Sequence, residues 1–95
     1  MRVRFHPAAR AEVLDAKLWY QERSPLTATA FVQEISVAIG LIAEAPNRFP
    51  KAEHGTRRSV LPRFPFNIYY CTDADEIIIV AVAHQKRRPS YWASR

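Results

Sequence analysis

Hydrophobic and polar residues change rhythm twice along this chain. Val3 and Phe5 alternate with Arg2 and Arg4, the period of a short, half-exposed strand. From Pro7 to about Arg23 the spacing becomes helical. Ala9, Val13, Ala16 and Tyr20 make one stripe, with Leu14 and Leu18 beside it. Pro7 suits the first turn, where its missing N–H costs nothing. Ser24-Pro25 stops this helix, because a residue before proline is driven out of the α region. The same pair starts a second helix, Ser24 as N-cap and Pro25 in the first turn. That helix is predicted from about Pro25 to Ala45. Its stripe is Ala28, Phe31, Ile35, Ala38 and Ile42, flanked by Val32, Ile39 and Leu41, and Pro46 ends it. Almost no loop separates the two helices, so they are expected to form an antiparallel hairpin, with Trp19 and Tyr20 packed inside it.

The second change of rhythm is to β. Asn47–Gly55, preceded by Pro46 and containing Pro50 and Gly55, reads as a loop. Arg57–Leu61 is expected to be a strand, broken by Pro62 and Pro65. Phe66–Thr72 follows, rich in aromatic and β-branched residues. Asp73-Ala74-Asp75-Glu76 is a polar turn. Ile77–His84 is nearly continuous in apolar residues, as a central strand covered on both faces would be. His84 continues the parity of Ile78, Val80 and Val82, which would place it on their face. The expected fold is α+β: one domain over residues 1–95, ordered strand–helix–helix–three strands. A helical hairpin would cover one face of a mostly antiparallel sheet, leaving the other face solvated or used.

Composition narrows the function classes. Ninety-five residues allow one core, burying roughly 60–65% of the unfolded surface. A single cysteine excludes an internal disulfide, and with three separated histidines it argues against a metal site. Cys71, in a strand, reads as a small apolar filler. The longest strongly apolar run, Ile77–Ala83, is too short to span a bilayer, and no signal-like stretch opens the chain. A cytoplasmic protein with no membrane partner and no cofactor is expected. The net charge of +5 is uneven. Residues 1–50 carry six Lys/Arg against five Asp/Glu, and residues 51–95 carry eight against four. Two basic clusters result: Arg57, Arg58 and Arg63, then Lys86, Arg87 and Arg88 in an acid-free tail ending at Arg95. Such clusters suit an anionic target or serve only to solvate a surface.

An ordered set of short motifs now gains meaning. These are Phe5-His6-Pro7-Ala8-Ala9, Trp19-Tyr20, Glu34-Ile35 and Ala45-Pro46-Asn47-Arg48-Phe49-Pro50. They continue with Gly55-Thr56-Arg57-Arg58, Phe64-Pro65-Phe66-Asn67-Ile68-Tyr69-Tyr70 and Ala81 through Trp92. With this order and spacing the chain resembles the RelE/ParE superfamily of toxins from bacterial type II toxin–antitoxin modules, also called plasmid stabilisation proteins. The resemblance implies a growth-inhibiting toxin held by a cognate antitoxin. RelE-like members cleave mRNA on the ribosome, and ParE-like members poison DNA gyrase.

Metal-free RNA cleavage needs a group to activate the 2′-hydroxyl, cations for the phosphorane charge and an acid for the leaving oxygen. Matched to the ribonuclease pattern, Arg87 falls on a phosphate-binding arginine and Tyr91 on a tyrosine that stacks on a base or moves a proton. His84 is a further acid/base candidate, its unperturbed pKa being about 6.5. Asn67, however, stands where the ribonucleases carry an arginine, and it brings no charge. The loop before the sheet holds only Lys51 and His54 beside Glu53, where those enzymes tend to carry several lysines. Ala83-His84-Gln85-Lys86-Arg87 instead resembles ParE-like chains. A gyrase-directed toxin is therefore expected, with mRNA cleavage as the alternative. Arg57, Arg58, Arg63, Lys86, Arg88 and Trp92 are the candidate contacts to target. The antitoxin is expected to be acidic and apolar, covering the open sheet face or the groove beside the hairpin.

Overall fold

The computed structural model describes all 95 residues, in the order β1 (Arg2–Phe5), α1 (Pro7–Arg23), α2 (Pro25–Glu44), β2 (Arg57–Val60), β3 (Phe66–Asp73) and β4 (Glu76–His84). The elements are those the periodicity predicts, with ends moved by one or two residues. Local chemistry explains the hairpin's sharp boundaries. The His6 imidazole Nδ1 accepts the Ala8 N–H at 3.0 Å and caps α1. Ser24 serves both helices: its N–H donates to the Tyr20 carbonyl at 2.7 Å, and its hydroxyl accepts the Thr27 N–H at 3.3 Å. One residue therefore ends α1 and starts α2.

The four strands form one sheet in the order β1-β4-β3-β2. β1 runs parallel to β4, and the other two pairs are antiparallel. The two-residue turn between β3 and β4 places Ala74 at φ 55°, in the left-handed region. β4 is central, and the hairpin packs against one sheet face. There Phe31 sits among Tyr20, Phe64 and Phe66, with ring centroids 5.2–5.4 Å apart. Such pairs contribute about 0.5–1.5 kcal/mol each beyond the area they bury. Ile35 and Ile42 of α2 meet Ile68, Tyr70, Ile77 and Ile79 in the same core. The Tyr70 hydroxyl, buried with its ring, donates to the Pro46 carbonyl at 2.6 Å and ties the loop after α2 to the sheet.

Three expectations need correction. First, β4 carries a bulge. Tyr69 faces Ala81 while Tyr70 faces Ile79, so Val80 is an extra residue with no partner on β3. The side-chain parity inverts there. Ile77 and Ile79 point into the core before it, and Val82 does so after it. His84 therefore shares the helix-side face of Val82, opposite Phe66, and not the face of Ile78. Second, Trp19 is not inside the hairpin. It stays 53% exposed, with the Arg23 guanidinium 3.6 Å over its ring, while Tyr20 alone packs inward. Third, an apolar stretch of membrane-spanning length exists after all: α2 is long and apolar enough, by length and composition, to cross a bilayer. Here it forms a wall of the core.

Candidate functional site

The site forms where β1 runs out. β1 pairs with Glu76–Ile79 only; His6 then donates its N–H to the Ile79 carbonyl at 2.9 Å, and Pro7 turns the chain into α1. Beyond Ile79 one edge of β4 has no strand beside it, and its backbone groups must find other partners. Glu12, on α1, accepts the Val82 N–H at 2.9 Å. Arg95, from the tail, donates to the Val80 carbonyl at 3.2 Å. The same two side chains pair with each other through both guanidinium nitrogens, at 2.9 and 3.0 Å. The Tyr91 hydroxyl donates to Glu12 Oε2 at 2.5 Å, an oxygen it shares with Arg95, while Oε1 takes the Val82 N–H and the other Arg95 nitrogen. A carboxylate from the first helix thus gathers the strand edge and the last turn of the chain.

This arrangement makes the tail wrap around the free edge of β4. Tyr91 lies on the helix side with Glu12. Trp92, the next residue, lies on the opposite, open face. Its ring is 4.6 Å from that of Tyr69, and His54 meets it edge-on at 5.8 Å. Trp92 is only 2% exposed, so it closes the sheet face and offers no ring to a partner.

Two hollows flank this wrapped edge. On the helix side, a groove of about 580 Å³ runs between α1 and the sheet end. Asp15, Trp19 and Tyr20 form one wall, and Phe66, His84 and Tyr91 the other. On the open face, a smaller hollow of about 250 Å³ gathers Arg58, Arg87 and Arg88 around Asn67, Tyr69 and Trp92. Arg87, His84 and Tyr91 border both. The Arg87 guanidinium lies 3.8 Å over the Tyr91 ring, a stacked cation with its edges free for an anion.

Of the candidate contacts, the fold brings Arg58, Arg87 and Arg88 together and leaves Lys86 exposed at the same turn. It separates two others. Arg57 donates to the Phe49 carbonyl at 2.7 Å. Arg63 is held by Glu34 on α2, through both its side chain and its own N–H at 2.9 Å. Burial alone would raise the Glu34 carboxyl, yet Arg63's hydrogen bonds and charge together hold it below the usual carboxylate range.

The chemistry of the three candidate catalytic groups is unequal. Burial first, then the Glu12 hydrogen bond and charge, push the Tyr91 hydroxyl far above the ordinary tyrosine range. A phenol that holds its proton this firmly is a poor acid, and it is not deprotonated to serve as a base near neutral pH. The His84 ring packs on Phe66 at 5.2 Å, and its Nδ1 accepts the Lys86 N–H at 3.1 Å, which leaves Nε2 as the protonated nitrogen of the neutral ring. Arg87 alone has a free charged edge. Asn67 is occupied with Gln85 and Tyr69, at 3.2 and 3.4 Å. Cys71 has its thiol pKa pushed up by burial and by Asp73, consistent with an apolar filler.

Glu12 and Arg95 escape a reading of the sequence by clusters. One signal was present: Glu12 sits at i+3 from Ala9 and i−4 from Ala16, an acid on the buried stripe of α1. An acid there needs a partner, but no local pattern says that the partner lies 83 residues away.

The comparisons agree with this architecture. A family model described as the ParE toxin of the type II toxin–antitoxin system parDE matches residues 3–89. No curated protein matches the chain. Among solved structures, a chain from the chromosomal ParDE TA system of P. aeruginosa superposes with a TM-score of 0.78. It is 23% identical, and the alignment covers 88% of this chain and 95% of that one, a likeness of fold. A match over residues 3–89, from β1 through β4 to the basic turn, decides the family: this chain is a member of the ParE toxins of type II toxin–antitoxin systems.

Proposed function

We propose that this toxin inhibits DNA gyrase in the bacterial cytoplasm and is neutralised by a cognate antitoxin. The observation that carries the reading is the Tyr91–Glu12 contact within a ParE-family fold. It engages the tyrosine hydroxyl in a structural hydrogen bond and holds the ring on which Arg87 stacks, beside Arg58 and Arg88 and with Glu53 as the one acid in that hollow. A surface that binds without reacting suits a gyrase poison better than a ribonuclease. Asn67, neutral and hydrogen-bonded in place of an arginine, supports the same side. Glu12 is then a positioning residue: it touches no target but holds the turn that does.

The test is a supercoiling assay with purified gyrase and purified toxin. Inhibition is expected, and Arg87→Ala is expected to weaken it by about tenfold or more, the loss of one charged anchor. Unchanged supercoiling, together with translation-dependent mRNA cuts on induction, would transfer the protein to the ribonuclease side.

A further inference from the structure

Leu14 and Leu18 of α1 do not serve the core: they are 52% and 49% exposed. With the exposed Ala11 and Gln21 they sit three, four and three residues apart, along one line of the helix. Ala9 and Ala16, buried in the core, lie on the opposite side. The helix therefore carries a second, unused apolar line.

That spacing is the seam of a two-stranded coiled coil. Ala11 and Leu18 take the a positions, and Leu14 and Gln21 the d positions. The charges beside the seam are sorted by sign. Arg10 and Lys17 fall at g on one flank, and Asp15 and Glu22 fall at e on the other. In a parallel pair, g of one helix faces e of the next heptad on its partner. Arg10 then meets the partner's Asp15, and Lys17 meets the partner's Glu22, each twice by symmetry. In an antiparallel pair g faces g and e faces e, so like charges would meet. The order of signs thus selects a second copy of this helix and one orientation.

The four charges are available for this. Arg10, Asp15 and Lys17 have no ion-pair partner in their own chain. Arg10 only overlies the Phe5 ring, at 5.4 Å. Glu22 has only Arg23, at 3.9 Å, and that guanidinium is already placed on Trp19. Three basic and three acidic residues leave α1 neutral in a chain of net charge +5. The hollow of Arg58, Arg87 and Arg88 lies across the sheet from the helices, away from such a contact.

We infer that two copies of this chain pair through the solvent face of α1, helices parallel, as a closed twofold dimer. Two leucines on each helix make a small interface, so the dimer is weak and depends on concentration. The pairing does not depend on which target the toxin has.

Sedimentation equilibrium on the purified chain, from about 1 µM to about 1 mM, tests it. The unaltered chain is expected to pass from monomer to dimer over that range. Leu14→Gln with Leu18→Gln keeps good helix formers at exposed positions and is expected to stay monomeric throughout. Circular dichroism and thermal melting at the low end of the range verify its folding. Lys17→Glu alone and Glu22→Lys alone each set like charges across the pair, and each is expected to dimerise at least about fivefold more weakly. Mixed in equal amounts, these two variants are expected to regain the unaltered affinity, because each reversal then meets the other. A chain still monomeric at about 1 mM overturns the inference. So does a dimer that survives the double glutamine change, or a mixture no tighter than its components. A monomeric chain whose hold on the product of its paired gene weakens in the double glutamine variant gives the face to that product, and also overturns the inference.

Discussion

Two glutamates, one on each helix, hold a distant arginine, and they do different work. Glu34 on α2 is buried and pairs with Arg63, in the turn between β2 and β3. That turn has other support: the Leu61 N–H donates to the Phe66 carbonyl, and Phe64 packs on Phe31 and Tyr20. Glu12 on α1 pairs with Arg95 in a tail that has no strand or helix of its own. Glu34 reinforces a place the core already fixes. Glu12, together with the buried Trp92 ring, decides where the tail goes. An ion pair between well-supported elements adds to stability, whereas one that gathers a segment with no strand or helix of its own also sets geometry.

Alanine at the two positions separates these roles. Glu34→Ala is expected to cost most, about 2–3 kcal/mol, because the Arg63 N–H loses its acceptor and a buried site is left empty. Urea unfolding measures it, and the tail amides are expected to stay protected. Glu12→Ala is expected to cost less, about 1–2 kcal/mol, chiefly through the Val82 N–H. Its distinct effect is release of the tail. Hydrogen-exchange protection at Ala93 and Arg95 is expected to vanish, and Trp92 emission to shift red in a Trp19→Phe background. A tail still protected after Glu12→Ala would break the comparison.

Arg95→Ala comes next, at about 1 kcal/mol. It removes one of three groups on Glu12 and is expected to loosen the tail without freeing Tyr91. Exchange at Ala93 that matches Glu12→Ala would show Arg95, and not the carboxylate, to be the organiser. The smallest effect sharpens the Glu34 side. Its carboxyl titrates below the usual range when folded. The stability it adds is therefore complete above the unfolded carboxyl pKa and is lost as pH falls through the folded value. Urea midpoints followed downward from pH 6 are expected to fall, and Glu34→Gln is expected to flatten that part of the profile. An unchanged slope would remove Glu34 from the acid response.

Much of this molecule is legible in its sequence. Ser24-Pro25 marks the hairpin because capping and the pre-proline restriction act within a few residues. The two helical stripes name Ala9, Phe31, Ile35 and Ile42 as core, and all are buried. The motif order points to the toxin superfamily, and a basic tail beside aromatic residues shows where to look for a site. The roles inside that site were less legible. Tyr91 and Trp92 look alike as neighbouring aromatics, yet one meets Glu12 and the other is sealed against Tyr69. The three arginines of the earlier cluster divide between two surfaces.

What the chain determines by itself is whatever depends on near neighbours: helix ends, turn residues, and the periods that assign faces. Tertiary structure decided the rest. One unpaired residue, Val80, inverts the faces beyond it, and no count of alternation along β4 could place His84 correctly. The short reach of β1 leaves an open edge on β4, and only the folded sheet shows that Glu12 and Arg95 are what close it. Both facts arise from backbone hydrogen bonds between segments far apart in sequence, and those bonds exist only once the sheet has formed.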